Sequence, residues 1–213
     1  MKKVVFSLIT FVMFSVSVFG QIMTEKELKK YAIERYSDDW EKAAQNIASQ
    51  ATLDKNGALS FSQIIEAKGK TKDQLYVILN YWFSTTFKDA KNAIELNDKE
   101  TGTIIAKIGI GRVAERFRYD KHINAEPILK CDIKDGKVRV TYTVQSYLYR
   151  DSRPRRDDEW FISDCYPFNS KSKHNKSMCC EALVQVVAYS NVIMHNIEES
   201  IKNGVIGNET EEW

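Results

Sequence analysis

The chain has 213 residues, of which 43% are hydrophobic and 28% are charged, and its 31 Lys+Arg nearly balance its 29 Asp+Glu. This length suits a single domain with a sizeable core. The near-neutral charge argues against a nucleic-acid binder, because such proteins usually carry a basic surplus or stripe.

Residues 1–20 have the three parts of a cleavable secretory signal. Lys2 and Lys3 are followed by an apolar stretch to residue 19, and small residues precede a cut between Gly20 and Gln21. The apolar stretch is shorter than the roughly 20 residues of a membrane-spanning helix, although an uncleaved anchor is the alternative. We predict a periplasmic or secreted protein with no stable membrane span after cleavage. Its mature chain has 29 basic and 29 acidic residues, since only Lys2 and Lys3 are lost.

Two capping boxes mark helix starts. Thr24 and Glu27 predict one helix from residue 24 to about Ser49, and Thr71 with Gln74 predicts a second helix with a strongly apolar face. Between them lie a turn at residues 54–57 and a strand at residues 58–66.

Two hairpins are predicted next. Residues 92–96 pair with residues 103–111, in which Gly109 indicates a bend. Residues 126–133 pair with residues 137–149 around Asp135-Gly136, a strong hairpin signal. Alternation predicts an antiparallel sheet with one wet face. The side chains expected to point inward from the last strand are Val138, Val140, Tyr142, Val144 and Leu148.

The remaining segments are a charged loop at residues 150–159, a short strand at residues 160–162 and a long helix from residue 177 to about 202, which Asn203-Gly204 ends. This order predicts an α+β fold, an antiparallel β-sheet covered on one face by helices. We divide the chain into a signal peptide (1–20), an N-terminal helical extension (21–52), one α+β domain (53–204) and a flexible tail (205–213).

The segment from residue 53 to residue 149 resembles an exported bacterial domain of unknown function described as having a TATA-binding-protein-like fold. The matching stretches are residues 53–57, 69–76, 82–83, 87–90, 98–104 and 135–139. The resemblance implies a TBP-like fold, but it brings no known activity and no catalytic residues. It does not imply DNA binding either, because fold does not determine function.

Four cysteines in an exported protein suggest disulfides. Cys131 falls on the inward side of its strand and is read as a buried free thiol. Cys165 is expected to pair with Cys179 or Cys180, closing a loop of about 15 residues worth roughly 3 kcal/mol, with free thiols as the alternative. A further alternative is a thiol- or metal-dependent enzyme that uses Cys165, Cys179, Cys180 and His174.

No sequence signature of hydrolases, nucleotide-binding loops or zinc proteases occurs in the chain, and we predict no catalytic residue, metal or cofactor. The leading hypothesis is a non-enzymatic binding or interaction module with an unknown protein or small-molecule partner in the cell envelope, and no nucleic acid. Its candidate contact residues lie on the polar strand face, where Tyr and Arg favour interfaces: Arg139, Thr141, Thr143, Tyr147 and Tyr149. A further possibility is an apolar ligand held between the second helix and the sheet, near Trp82, Phe83 and Tyr142.

Overall fold

The computed structural model describes residues 22–49, 51, 53–116, 120–153, 155–166 and 173–204. The predicted signal peptide, its cut before Gln21 and the predicted tail lie outside these residues. The helices are α1 (Glu25–Arg35), α2 (Trp40–Ala48), α3 (Lys72–Thr86), α4 (Ala90–Ala93), α5 (Ile162–Cys165) and α6 (Lys176–Asn203). The strands are β1 (Leu59–Glu66), β2 (Ile94–Asp98), β3 (Thr103–Lys107), β4 (Ile110–Arg116), β5 (Lys121–Ala125), β6 (Ile128–Lys134), β7 (Lys137–Val144), β8 (Ser146–Asp151) and β9 (Arg156–Phe161).

The helix predicted over residues 24–49 is two helices. Both predicted capping boxes are present, at Thr24 before α1 and at Thr71 before α3. The first helix ends after Arg35 because the next residues favour caps over helix interiors. Ser37 accepts a hydrogen bond from the backbone of Asp39, and Asp39 in turn caps α2 by accepting one from Lys42.

Five strands form the first antiparallel sheet, in the order β1-β7-β6-β3-β2. Helices α3 and α6 contact its inner face, on strands β6 and β1. The predicted Asp135-Gly136 hairpin joins β6 to β7, and Gly136 has a φ of 72°, which favours glycine. The inner face is apolar and buried, with Leu59, Ile104, Leu129, Val140 and Tyr142 at 0% exposure.

The second antiparallel sheet has the order β4-β5-β8-β9. Two segments predicted as single strands therefore cross between sheets. Residues 103–111 divide into β3 and β4 around the predicted bend at Gly109, and residues 137–149 divide at Gln145. The predicted charged loop at residues 150–159 is largely the β8–β9 hairpin, in which Asp151 pairs with Arg156.

Helix α6 lies at the centre of the molecule. It contacts α1, α2 and α3, and it also contacts strands β1, β4 and β5. Asn175 caps it by accepting a hydrogen bond from the Met178 backbone, and Gly204 follows its last turn as predicted. Among the described residues, α6 is the one helix long and apolar enough to cross a membrane, but 83% of its most apolar window is buried inside the fold. The same test is met by core helices of globular domains.

The fold is α+β, as predicted, with a two-helix N-terminal region and a long C-terminal helix. It differs from the prediction in having two sheets. The division of the chain at residue 52 stays a prediction, and α1 and α2 pack against α6.

Candidate functional site

The outer side of the five-stranded sheet faces away from α3 and α6, and none of its strand side chains is buried. We call this surface the open face. Its residues are Ser60, Ser62, Ile64 and Glu66 of β1, Lys137, Arg139, Thr141 and Thr143 of β7, Ile128, Lys130, Asp132 and Lys134 of β6, Thr103, Ile105 and Lys107 of β3, and Leu96 and Asp98 of β2. Three of the five predicted contact residues, Arg139, Thr141 and Thr143, therefore lie together.

Polar side chains of β1 and β7, on one side of the open face, contact one another across strands. The Ser60 and Thr143 hydroxyls lie 3.2 Å apart, and those of Ser62 and Thr141 lie 3.3 Å apart. Such pairs hold short polar side chains flat against the sheet.

Asp132 is the acidic residue at the centre of this surface. Its carboxylate forms ion pairs with Lys130 Nζ at 2.9 Å and with Arg139 Nη2 at 2.8 Å. Its partial burial acts to raise the pKa of Asp132, but the hydrogen bonds from Lys130 and Arg139 outweigh this and leave the pKa below its usual value of 3.8. Asp132 is thus ionised and shared by two cations, which compensate its charge.

Large aliphatic side chains flank this polar centre. Ile64 on the edge strand β1 is 59% exposed, while Leu96 on the opposite edge strand β2 and Ile128 on the central strand β6 are about two-fifths exposed. Leu96 lies opposite Ile105 in the sheet register, so these two side chains form an apolar pair at the β2 edge. Contiguous exposed apolar groups are typical of contact sites.

The structure places Tyr147 and Tyr149 elsewhere, which corrects the predicted five-residue face. Both lie on β8 in the second sheet, and their side chains are only 1% and 9% exposed. The inward alternation shifts by one residue at Gln145, where the chain leaves the first sheet. Leu148, which was predicted to point inward with Val144, is accordingly half-buried on the other side.

A groove of about 880 Å³ lies beside the second sheet near the start of α6. Sequence reasoning did not find it. Its wall includes a stack in which Trp160 lies between Tyr149 and His174, with ring centroids 4.3 Å apart on each side. Stacking partners from β8, β9 and the loop before α6 carry no sequence pattern that would place them together.

The basic side chains of this groove are all engaged with acids. Arg116 contacts Glu181 at 2.7 Å, Arg156 contacts Asp158 at 2.6 Å, and Lys121 contacts Asp151 at 3.1 Å. Lys173 also contacts Asp164 at 2.6 Å. The groove therefore offers no uncompensated positive charge to an anionic ligand.

All four cysteines are buried free thiols in the structure, so the predicted disulfide is not seen there. Burial raises the pKa of Cys131 and of Cys180 to about 12. A hydrogen bond with Cys179, followed by burial, raises the pKa of Cys165 as well. Cysteine nucleophiles need a lowered pKa, so these thiols lack the electrostatic setting of a reactive cysteine.

The proposed Cys/His cluster is dispersed. His174 stacks on Trp160, whereas Cys180 lies near Glu41 and Lys176 at α2. Over the described parts of the chain, no group of three or more His, Cys, Asp or Glu side chains is arranged to hold a metal ion. Near the suggested apolar ligand site, Trp82 and Phe83 pack edge-on with centroids 4.9 Å apart, and Tyr142 is fully buried.

Residues 61–147 match the family model described as a domain of unknown function (DUF4468) with TBP-like fold. This match confirms the resemblance noted in the sequence. The matched segment runs from Phe61 in β1 to Tyr147 in β8, and so it includes the open face apart from Ser60.

Solved structures show the same fold. A TBP-like protein from Parabacteroides distasonis superposes with a TM-score of 0.57 at 13% identity, over 71% of this chain and 97% of that one. A DUF4468 family protein from Bacteroides ovatus gives a TM-score of 0.52 at 16% identity, over 79% of this chain and 94% of that one. No curated protein matches the chain. The comparisons thus establish the fold and carry no activity.

Proposed function

We propose that the protein is a non-enzymatic interaction module of the bacterial cell envelope, exported by its N-terminal signal, and that the open face of its five-stranded sheet binds a protein partner. One observation carries the proposal: Ile64, Leu96 and Ile128 are exposed on the same flat surface as the paired Ser and Thr hydroxyls. A protein partner fits this surface better than a small molecule does, because small-molecule sites are concave.

The charge balance of the mature chain speaks against nucleic acid as the partner. The mature chain has 29 basic and 29 acidic residues and therefore no basic surplus. The cations of the open face are interspersed with acids, since Lys130 and Arg139 share Asp132 and Lys107 contacts Glu126 at 2.7 Å. A nucleic-acid binder usually presents a basic surplus or stripe instead.

The alternative enzyme finds no support in Cys165 and Cys180, because the pKa values of both thiols are raised. We infer instead that Cys165 and Cys179 form a structural staple between α5 and α6 in an oxidising envelope, because both thiols are buried and Cys179 is the neighbour that most strongly perturbs the pKa of Cys165.

Photo-crosslinking tests the open face. We replace Thr141 with benzoylphenylalanine in the full chain, express it in Bacteroides ovatus and irradiate the cells. The control carries the probe at Lys30, an exposed side chain of α1 that lies off the sheet. We expect a discrete protein adduct from position 141 and none from position 30. No adduct at position 141, or the same adducts from both positions, contradicts the proposed surface.

The same cells can be fractionated to determine where the protein is located. The mature form in the envelope or medium should begin at Gln21, as read by intact mass and N-terminal sequencing. A chain that stays in the cytoplasm with residues 1–20 attached contradicts export while leaving the crosslinking result to be judged separately.

A further inference from the structure

Strands β1, β2, β4 and β9 lie at the edges of the two sheets. An edge strand presents unpaired backbone N–H and C=O groups that can pair with another chain, and natural proteins blunt such edges with charges, bulges, short strands or covering elements. Comparing these four strands separates β1 from the others.

Three of the edges carry such features. Strand β2 has a register shift between Ile94 and Leu96, and its Asn97 is hydrogen-bonded to Tyr76 and Asn80 of α3. Strand β4 has a register shift before Ala114 and is contacted by α1 and α6. Strand β9 has charged side chains at four successive positions, Arg156, Asp157, Asp158 and Glu159.

Strand β1 has none of these features in its second half. Its eight residues pair with β7 without a register shift, and it contains no proline. Leu53 forms a bridge to Leu59 and covers the first residues of the edge. Beyond that bridge, Ser62 and Ile64 are exposed, and Glu66 is the one charged residue of the strand.

In an antiparallel pair, alternate residues form backbone hydrogen bonds to the neighbouring strand, and the residues between them direct their backbone groups outward. The Ala67 backbone N–H donates to the Gly136 carbonyl, which places Ala67 and every second residue before it, including Ile65 and Gln63, in bonded pairs with β7. The backbone groups of Ser62, Ile64 and Glu66 therefore point toward the free edge. No described residue forms a backbone hydrogen bond to them there.

We propose that β1 pairs with β1 of a second copy of this chain, in an antiparallel arrangement with its two-fold axis at Ile64. This register places Ile64 opposite its own copy and Ser62 opposite Glu66 of the second copy. Three bonded residue pairs exchange about six backbone hydrogen bonds. The five-stranded sheets of the two copies then join into one sheet of ten strands.

Self-complementarity is the reason for choosing a second copy. The most exposed large aliphatic residue, Ile64 at 59%, meets an identical side chain on the axis. The single carboxylate of the strand meets a hydroxyl, and no like charges lie directly opposite each other, a pairing that would be unfavourable. A two-fold interface requires that one patch match itself. The proposal concerns the sheet edge and does not depend on what the open face binds.

Sedimentation velocity on the purified mature protein, from about 1 to about 100 µM, tests the dimer, because a small interface of this kind is expected to bind in the micromolar range. The wild type should shift from monomer to dimer across the range. Ile64→Lys puts two ammonium groups on the axis and should raise the dissociation constant at least about tenfold. Ile128→Lys removes a comparable exposed isoleucine from the open face and should leave the dissociation constant unchanged.

A second variant acts through the backbone. Ser62→Pro removes an N–H that has no partner within the described monomer and blocks the edge, so it should abolish dimerisation while far-UV circular dichroism remains native. A wild type that stays monomeric over the whole range overturns the proposal. It does so even if the edge of β1 is then found to pair with a strand of another protein. Equal effects of Ile64→Lys and Ile128→Lys also overturn it, because they indicate non-specific apolar association.

Discussion

Glu181, near the start of α6, is a buried carboxylate with only 2% exposure. It receives Lys29 of α1 at 2.9 Å and Arg116 of β4 at 2.7 Å, and the same arginine donates to Ser177. A buried charge is tolerated when it is paired and hydrogen-bonded, and removing one member leaves the others uncompensated. This cluster ties α6 to α1 and to the second sheet.

We predict that Glu181→Ala lowers the free energy of unfolding by about 2 kcal/mol, below the full value for a buried pair because Lys29 and Arg116 keep part of their surface in water. Urea unfolding followed by circular dichroism measures the change. Glu199→Ala, which removes an exposed carboxylate paired with Lys202, is the control and should cost less than about 0.5 kcal/mol. Equal losses in the two variants would show that the buried cluster adds no stability.

Asp132 makes stability depend on pH. Its pKa is lower in the folded protein than in the unfolded chain, so its ionisation stabilises the fold fully above the ordinary carboxyl value and this contribution is lost as the pH falls through the lowered pKa. We predict that Asp132→Asn unfolds more readily than wild type at neutral pH and loses less stability between about pH 5 and about pH 2. Urea titrations at several pH values measure this.

At the scale of elements, α5 is a four-residue helix without a side-chain cap, and its Cys165 thiol interacts with Cys179 of α6. Cys180 is the adjacent residue but lies near Glu41 and Lys176, toward α2. Successive residues of a helix point about 100° apart, so the two neighbouring thiols serve different elements.

We predict that oxidation joins Cys165 to Cys179 and leaves Cys131 and Cys180 reduced. The two thiols give two electrons and two protons to glutathione disulfide, which becomes two molecules of glutathione, and the loop closed has about 15 residues, worth roughly 3 kcal/mol. Refolding with glutathione disulfide, alkylation and peptide mapping identify the bond. Cys179→Ser should abolish it and Cys180→Ser should not. A bond between Cys165 and Cys180 is the contrary result.

Local signals predicted most of the elements. The capping boxes at Thr24 and Thr71 and the Asp135-Gly136 hairpin are each formed by residues a few positions apart, and the structure has all three. Such features depend on short-range hydrogen bonds and backbone preferences, which the sequence displays directly. The single helix predicted over residues 24–49 was wrong because its apolar spacing continues through the Ser37–Asp39 break.

The passage of a strand between sheets was not predictable in the same way. Tyr147, Leu148 and Tyr149 are consecutive and apolar, so alternation does not indicate which of them point inward. The pairing of β8 with β5 and β9 determines which of these side chains point inward, and it brings together residues from separate strands. Arg139, Thr141 and Thr143 were placed correctly on one face because they precede Gln145, and the two tyrosines were not because they follow it.

At the scale of the whole molecule, the order of elements predicted an α+β fold with helices on one sheet face, and the structure and its relatives confirm it. The second sheet was missed because β4, β5, β8 and β9 gain their common core only by packing together. The groove beside Trp160 was missed for the same reason, since its walls come from β4, β5, β8, β9 and the segment that leads into α6.

Helix α6 follows every strand in chain order, yet three other helices and strands of both sheets pack on it. When synthesis has reached residue 175, every strand segment of the described fold has been synthesised. The chain still lacks α6, the helix around which these strands pack. We therefore expect the fold to be completed only after synthesis has passed the last turn of α6. If the protein is exported as proposed, this order favours passage of an incompletely folded chain through a translocation channel and assembly on the far side of the membrane.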